Sequence, residues 1–134
     1  MQIKTFNDFL QAANAQPEPQ RLLFVLAQAG LPDDPSDEER LAYEQGEGGV
    51  LSPVLCVDKL PEELPRFAQL LEESTQTGVH WDLAFASALS GRAGIAPTSD
   101  EALQPLQMMA EQVKAGLITR FLVINRDGDL LQIS

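Results

Sequence analysis

Lys59, Ser90, Gly91 and Arg92 are the residues whose types and settings could do chemistry, and that chemistry would be anion binding. The run Ser90-Gly91-Arg92-Ala93-Gly94 lies between a predicted strand and a predicted helix, where backbone N–H groups can cradle an anion. It has neither the Gly-x-x-x-x-Gly-Lys-Ser/Thr nor the Gly-x-Gly-x-x-Gly spacing, so its motif signal is weak. Position adds to it. In an open parallel sheet ligands bind at the carboxyl ends of the strands. Asp58 and Lys59 end one predicted strand, Ser90 and Arg92 follow the next, and Asn125 and Arg126 end another. Lys59 and Arg92 would hold the anion, with Arg126 in support. Ser90 would donate a hydrogen bond, and Asp58 is the candidate base. The bland alternative is that strand ends are polar because they are exposed, with Lys59 and Arg92 neutralising acids such as Asp58 or Glu47.

Other reactive residues form no constellation. Cys56 is the single cysteine and His80 the single histidine. Cys56 sits among Val54, Leu55 and Val57 and reads as a buried small hydrophobe rather than a thiolate. His80 falls at the far end of a neighbouring strand and reads as a surface residue before Trp81. One His and one Cys do not make a soft metal site. Asn125-Arg126-Asp127-Gly128-Asp129 looks like a calcium loop, but its glycine falls at the wrong position and no bidentate Glu follows. A hairpin turn accounts for it. The expectation is no catalytic set, no metal and no cofactor.

The totals set the class. A chain of 134 residues, 44% hydrophobic and 22% charged, is ordinary single-domain composition. One cysteine permits no internal disulfide and fits a reducing compartment. No apolar run approaches the ~18 residues of a membrane span, and the first residues lack a signal-peptide core. A soluble cytoplasmic protein is expected. Twenty acids against nine bases give a net charge of −11, which disfavours nucleic acid as a partner. Seven acids fall within residues 33–47 against the single base Arg40, and a solvated face is the simplest reading.

The elements that must position these residues can be read in order. Thr5 with Asp8 predicts a capping box and a short helix carrying Phe6, Phe9, Leu10 and Ala13 on one face. Residues 21–27 form a continuous apolar run, as in a strand buried on both faces. Ser36 with Glu39 opens a polar helix to about Gln45, ended by the glycines of residues 46–49. Residues 50–57 form the next strand, with Pro53 implying an edge position or a bulge. A helix follows with Leu64, Phe67, Leu70, Leu71 and Ser74 on one face, opened by either Pro61 or Pro65. Residues 81–89 alternate, with Trp81, Leu83, Phe85 and Leu89 on one side and Ala84, Ala86 and Ala88 on the other. The alanine strip leaves room for a helix on that face too. Thr98 with Glu101 opens a last helix with an expected face of Leu103, Leu106, Ala110, Val113 and Leu117, and Pro105 predicts a kink or a late start. Residues 120–124 and 130–133 form a hairpin about Asp127-Gly128. The expected fold is a single α/β domain: a mixed, mostly parallel sheet of about five strands, four helices and a C-terminal β-hairpin.

Three segments carry a resemblance: Arg21-Leu22-Leu23-Phe24-Val25-Leu26-Ala27, Glu47-Gly48-Gly49-Val50-Leu51-Ser52-Pro53-Val54-Leu55-Cys56-Val57-Asp58-Lys59, and Ala88-Leu89-Ser90-Gly91-Arg92-Ala93-Gly94. They resemble a small uncharacterised proteobacterial family often labelled "ribonucleotide reductase subunit alpha", over nearly the full chain. The resemblance brings no catalytic motif and no transferable residues. The labelled chemistry uses several cysteines in a large barrel, and this chain has one cysteine. Two functions are expected from the residues. The first is a non-catalytic protein-interaction or regulatory module. The second is a binder of, or enzyme on, a small anionic metabolite at the Lys59–Arg92 rim.

Overall fold

The structure is a computed structural model that describes residues 3–31, 34–44 and 49–131, apart from the Tyr43 side chain. Its elements are α1 (Phe6–Asn14), β1 (Gln20–Gly30), α2 (Asp37–Glu44), β2 (Val50–Lys59), a 3₁₀ turn (Pro61–Glu63), α3 (Phe67–Thr75), β3 (Leu83–Ser90), α4 (Ser99–Lys114), β4 (Leu122–Asn125) and β5 (Leu130–Leu131). The predicted end of α2 at residues 45–48, and residues 132–133 of the last strand, lie outside the described residues.

Several local signals hold where they were read. The reciprocal bonds of a capping box are present at Thr5/Asp8, Ser36/Glu39 and Thr98/Glu101. In β1 the six side chains from Leu22 to Ala27 are nearly inaccessible, as expected of a strand covered on both faces. Pro53 lies on an edge strand and beside a bulge, because the β1–β2 register slips between Leu26/Ala27. The Asn125–Asp129 segment is a hairpin turn. The Asn125 side chain accepts from the Asp127 and Asp129 N–H groups at 2.9 and 3.0 Å.

The sheet is not mostly parallel. Its order is β2-β1-β3-β4-β5, and every neighbouring pair is antiparallel. Strand–helix alternation predicts parallel neighbours only if each helix crosses between adjacent strands. Here α3 joins two like-directed strands, β2 and β3, but β1 is inserted between them. The α2 segment joins adjacent antiparallel strands instead, and none of the described side chains of α2 belongs to either core.

Two cores flank the sheet. Phe6, Phe9, Leu70 and Trp81 from the α1/α3 side cover Leu22, Phe24, Ala84 and Ala86. Ala102, Leu106, Met109 and Val113 of α4 cover Leu23, Val25, Phe85 and Val123. Ala84 and Ala86 of the β3 alanine strip are therefore met by helix, as expected, whereas Ala88 is exposed. Two face assignments change. The buried stripe of α4 is Ala102, Leu106, Met109 and Val113, while Leu103 and Leu117 are exposed. The helix also begins at Ser99, so Pro105 lies inside it rather than at a late start. Trp81 precedes β3 and does not share the Leu83/Phe85 face. Its indole N–H donates to Ser74 Oγ at 2.9 Å within the α1/α3 core. Neither Pro61 nor Pro65 is the first residue of α3: Pro61 opens the 3₁₀ turn, and α3 starts at Phe67. No helix of the described residues is long and apolar enough to cross a membrane.

Candidate functional site

Antiparallel pairing on both flanks of β1 decides which candidate residues meet. β2 and β3 run alike, so their carboxyl ends share the rim at which β1 begins: Leu22 pairs with Lys59 on one side and Ala88 on the other, and Gln20 pairs with Ser90. Asp58, Lys59, Ser90, Gly91 and Arg92 are thus gathered at one rim. Arg126 is not among them. β4 runs against β3, so Asn125 pairs with Leu83 and the turn carrying Arg126 lies at the opposite rim. There Arg126 donates to the Trp81 carbonyl at 3.1 Å and covers the Trp81 ring at 4.7 Å.

Within the rim Asp58 and Lys59 already have partners, whereas the Arg92 side chain makes no salt bridge to a described residue. Asp58 and Lys59 are adjacent on an edge strand, so they point to opposite faces of the sheet. Lys59 Nζ donates to Glu73 of α3 at 3.0 Å. Asp58 accepts from Arg21 Nη1 at 2.6 Å and from Ser99 Oγ at 2.7 Å. Arg21 Nε donates at 2.6 Å to the Pro97 carbonyl. The Arg21 and Asp58 side chains are only 11% and 21% exposed. This clamp ties the start of α4 to β1 and β2. Sequence reading missed Arg21 and Ser99. Their signal was a guanidinium at the head of a doubly covered strand, which needs a buried acid to accompany it.

The loop after β3 is closed on itself. Gly91 N–H donates to Pro19 O at 2.8 Å, Arg92 N–H to Ile95 O at 3.0 Å, and Ile95 N–H to Arg92 O at 2.9 Å. Ala93 and Gly94 take left-handed φ values of 54° and 77°, and the Gly94 N–H donates to Glu18 Oε2 at 3.0 Å. The N–H array that would cradle a foreign anion is thus largely engaged, in part by the chain's own carboxylate. Ser90 Oγ accepts from Gln20 Nε2 at 3.0 Å. A groove of 510 Å³ runs beside the loop, with Arg92, Glu101 and Ile95 in its lining. Ile95 is 71% exposed.

Cys56 is exposed, not buried, because β2 is an edge strand with a neighbour on one side only. Partial desolvation still pushes its thiol above the ordinary cysteine value, which disfavours the thiolate. On α2, Asp37, Glu38, Glu39 and Glu44 are exposed, as a solvated face requires. His80 is exposed and pairs with Asp82 at 2.9 Å.

Asp82 is held below the usual carboxylate range, first by the Ala29 N–H that it accepts at 2.8 Å and then by His80 and Arg126. A depressed folded pKa stabilises the fold above the unfolded value of ~3.9, and the contribution is lost as pH falls through the folded value. Asp82→Asn is therefore expected to melt slightly below wild type from about pH 5 upward, with the gap closing below about pH 3.5. The gap is small, under about 0.5 kcal/mol, because the side chain is 40% exposed. Melting curves from acid to neutral pH check this, and a gap that widens in acid would refute it.

A scan against protein-family models matches nothing, and searches of curated proteins and of solved structures return no match.

Proposed function

We propose that this chain is a non-catalytic interaction module that docks a protein partner at the rim carrying the 91–95 loop. The observation that supports it most is the loop itself. Backbone bonds to Pro19 and between Arg92 and Ile95, with the Glu18 carboxylate, hold it in shape while Ile95 stands 71% exposed at its end. A braced loop that presents a large apolar side chain has already lost the entropy that docking would otherwise cost. The charges of Asp58 and Lys59 on this rim are taken up within the chain, so they serve the fold rather than a substrate.

A second reading keeps the small anionic ligand, favoured by the presence of Arg92 in the 510 Å³ groove. One experiment separates the two. A photocrosslinking amino acid at position 95, introduced in cells, is expected to give a discrete heavier adduct that the same group at Gln104, on exposed α4 surface, does not give. An absent adduct at 95, together with a thermal shift on adding anionic metabolites that disappears in Arg92→Ala, would replace the first reading by the second.

A further inference from the structure

β3 is paired unequally on its two sides. β1 accompanies it from Leu83 to Ser90, but β4 pairs only with Leu83, Ala84, Phe85 and Ala86. The last four residues, 87–90, have no described strand on the β4 side. Alternation along the strand fixes which backbone groups are left facing outward. Gly91 N–H donates to Pro19 on the β1 side, so Leu89 and Ser87 also turn their N–H and C=O groups to β1. Ala88 and Ser90 turn theirs to the side without a described strand, and both residues are exposed.

Beside this open edge lies a crevice of 210 Å³ between α1 and the sheet. Phe9, Ala12 and Ala13 form its helix wall, Ala86 and Ala88 its floor, and Arg120 joins the lining next to the start of β4. Arg120 is exposed and makes no salt bridge to a described residue. Gln16 and Gln20 line both this crevice and the neighbouring one that contains Gly94, so the edge is continuous with the braced loop.

We infer that this edge accepts the carboxyl-terminal residues of an extended peptide from a protein partner, added antiparallel to β3 in line with β4. The inference rests on the interaction reading above and names the partner's chemistry. Antiparallel addition gives the peptide the direction of β4, so its carboxyl end arrives where β4 begins, beside Arg120. A terminal carboxylate there gains a guanidinium partner. The peptide residue opposite Ala88 shares the face of Ala88 and sends its side chain into the apolar crevice. Main-chain bonds supply the affinity and the crevice supplies the preference for an apolar residue.

Because ladder bonds are main-chain, an alternating Thr/Val hexapeptide with a free carboxyl terminus serves as the probe, with its C-terminally amidated twin for comparison. Titration into isotope-labelled protein is expected to move the amide signals of Ala88, Ser90 and Arg120 most. Amidation, or Arg120→Glu, is expected to weaken binding about tenfold. Ala88→Pro removes the outward N–H at a position where a strand edge tolerates proline, and is expected to abolish binding with melting temperature nearly kept. If that variant unfolds, Arg120→Glu carries the test alone. Equal binding of the two peptides, or shifts spread away from residues 87–90, overturns the proposal. No shift at millimolar peptide also overturns it. A flat titration with a persistent adduct at position 95 removes the peptide edge and leaves the interaction reading; loss of both removes both.

Discussion

Gly91→Ala is expected to destabilise the protein by about 3 kcal/mol, lowering the melting temperature by roughly 10 °C. A methyl at Gly91 would overlap the Ile95 carbonyl oxygen and lie 2.9 Å from both the Ile95 carbonyl carbon and the Pro19 oxygen. All three are backbone atoms, so no side chain can swing aside. Either the loop peels from Pro19 or the β1 entrance moves, and both break the Gly91 N–H bond to Pro19 at 2.8 Å. Gly94→Ala makes the contrast. At φ +77° it carries left-handed strain but meets nothing within 4 Å, so about 1 kcal/mol is expected. Thermal melts of the two variants settle the order. A Gly94 variant less stable than the Gly91 variant would contradict steric closure of the loop.

Asp58→Ala is the second large effect, a loss of roughly 2–3 kcal/mol. It leaves the Arg21 guanidinium, 11% exposed, with two neutral partners and no counter-charge. Arg21→Met combined with Asp58→Leu is expected to recover more than half of that loss, since a buried pair replaced by apolar side chains sheds its desolvation cost. Such a cycle separates clamp from catalyst. Were Asp58 a base exposed to substrate, Asp58→Ala would leave the melt near wild type, and the double variant would be no better than the single one.

Which parts of this molecule could be read from its residues follows from distance along the chain. Capping boxes such as Thr98/Glu101 close within one turn, and the Asn125–Asp129 turn closes on its own first side chain, so both were legible. Pro53 was legible as an edge or bulge residue for the same reason: a missing donor is a property of one position. Strand direction was not. Whether β2 runs with or against β1 depends on pairs such as Val25 with Cys56, and nothing local to either residue encodes it. The loss of Arg126 from the rim follows from a second such direction, that of β4 against β3. The face of α4 slipped because Leu103 and Ala102 both fit a helical period, and only the sheet beneath selects Ala102. At the rim, sequence placed Asp58, Lys59, Ser90, Gly91 and Arg92 at strand ends correctly. It could not show that Arg21 and Ser99 arrive to engage Asp58, Glu73 to engage Lys59, and Glu18 to engage Gly94 of the following loop.

The insertion of β1 between β2 and β3 also bears on the order in which the molecule is made. Its six near-inaccessible residues, Leu22 to Ala27, are synthesised before their second flank, at Leu83 to Ala88, which emerges some sixty residues later. For that interval a growing chain carries its most apolar strand half covered, paired at best with β2. Such a strand is the natural target for a ribosome-bound holdase and the natural seed for aggregation when translation stalls. Synonymous changes that slow decoding between β2 and β3 would therefore lower soluble yield without altering a single contact in the finished fold.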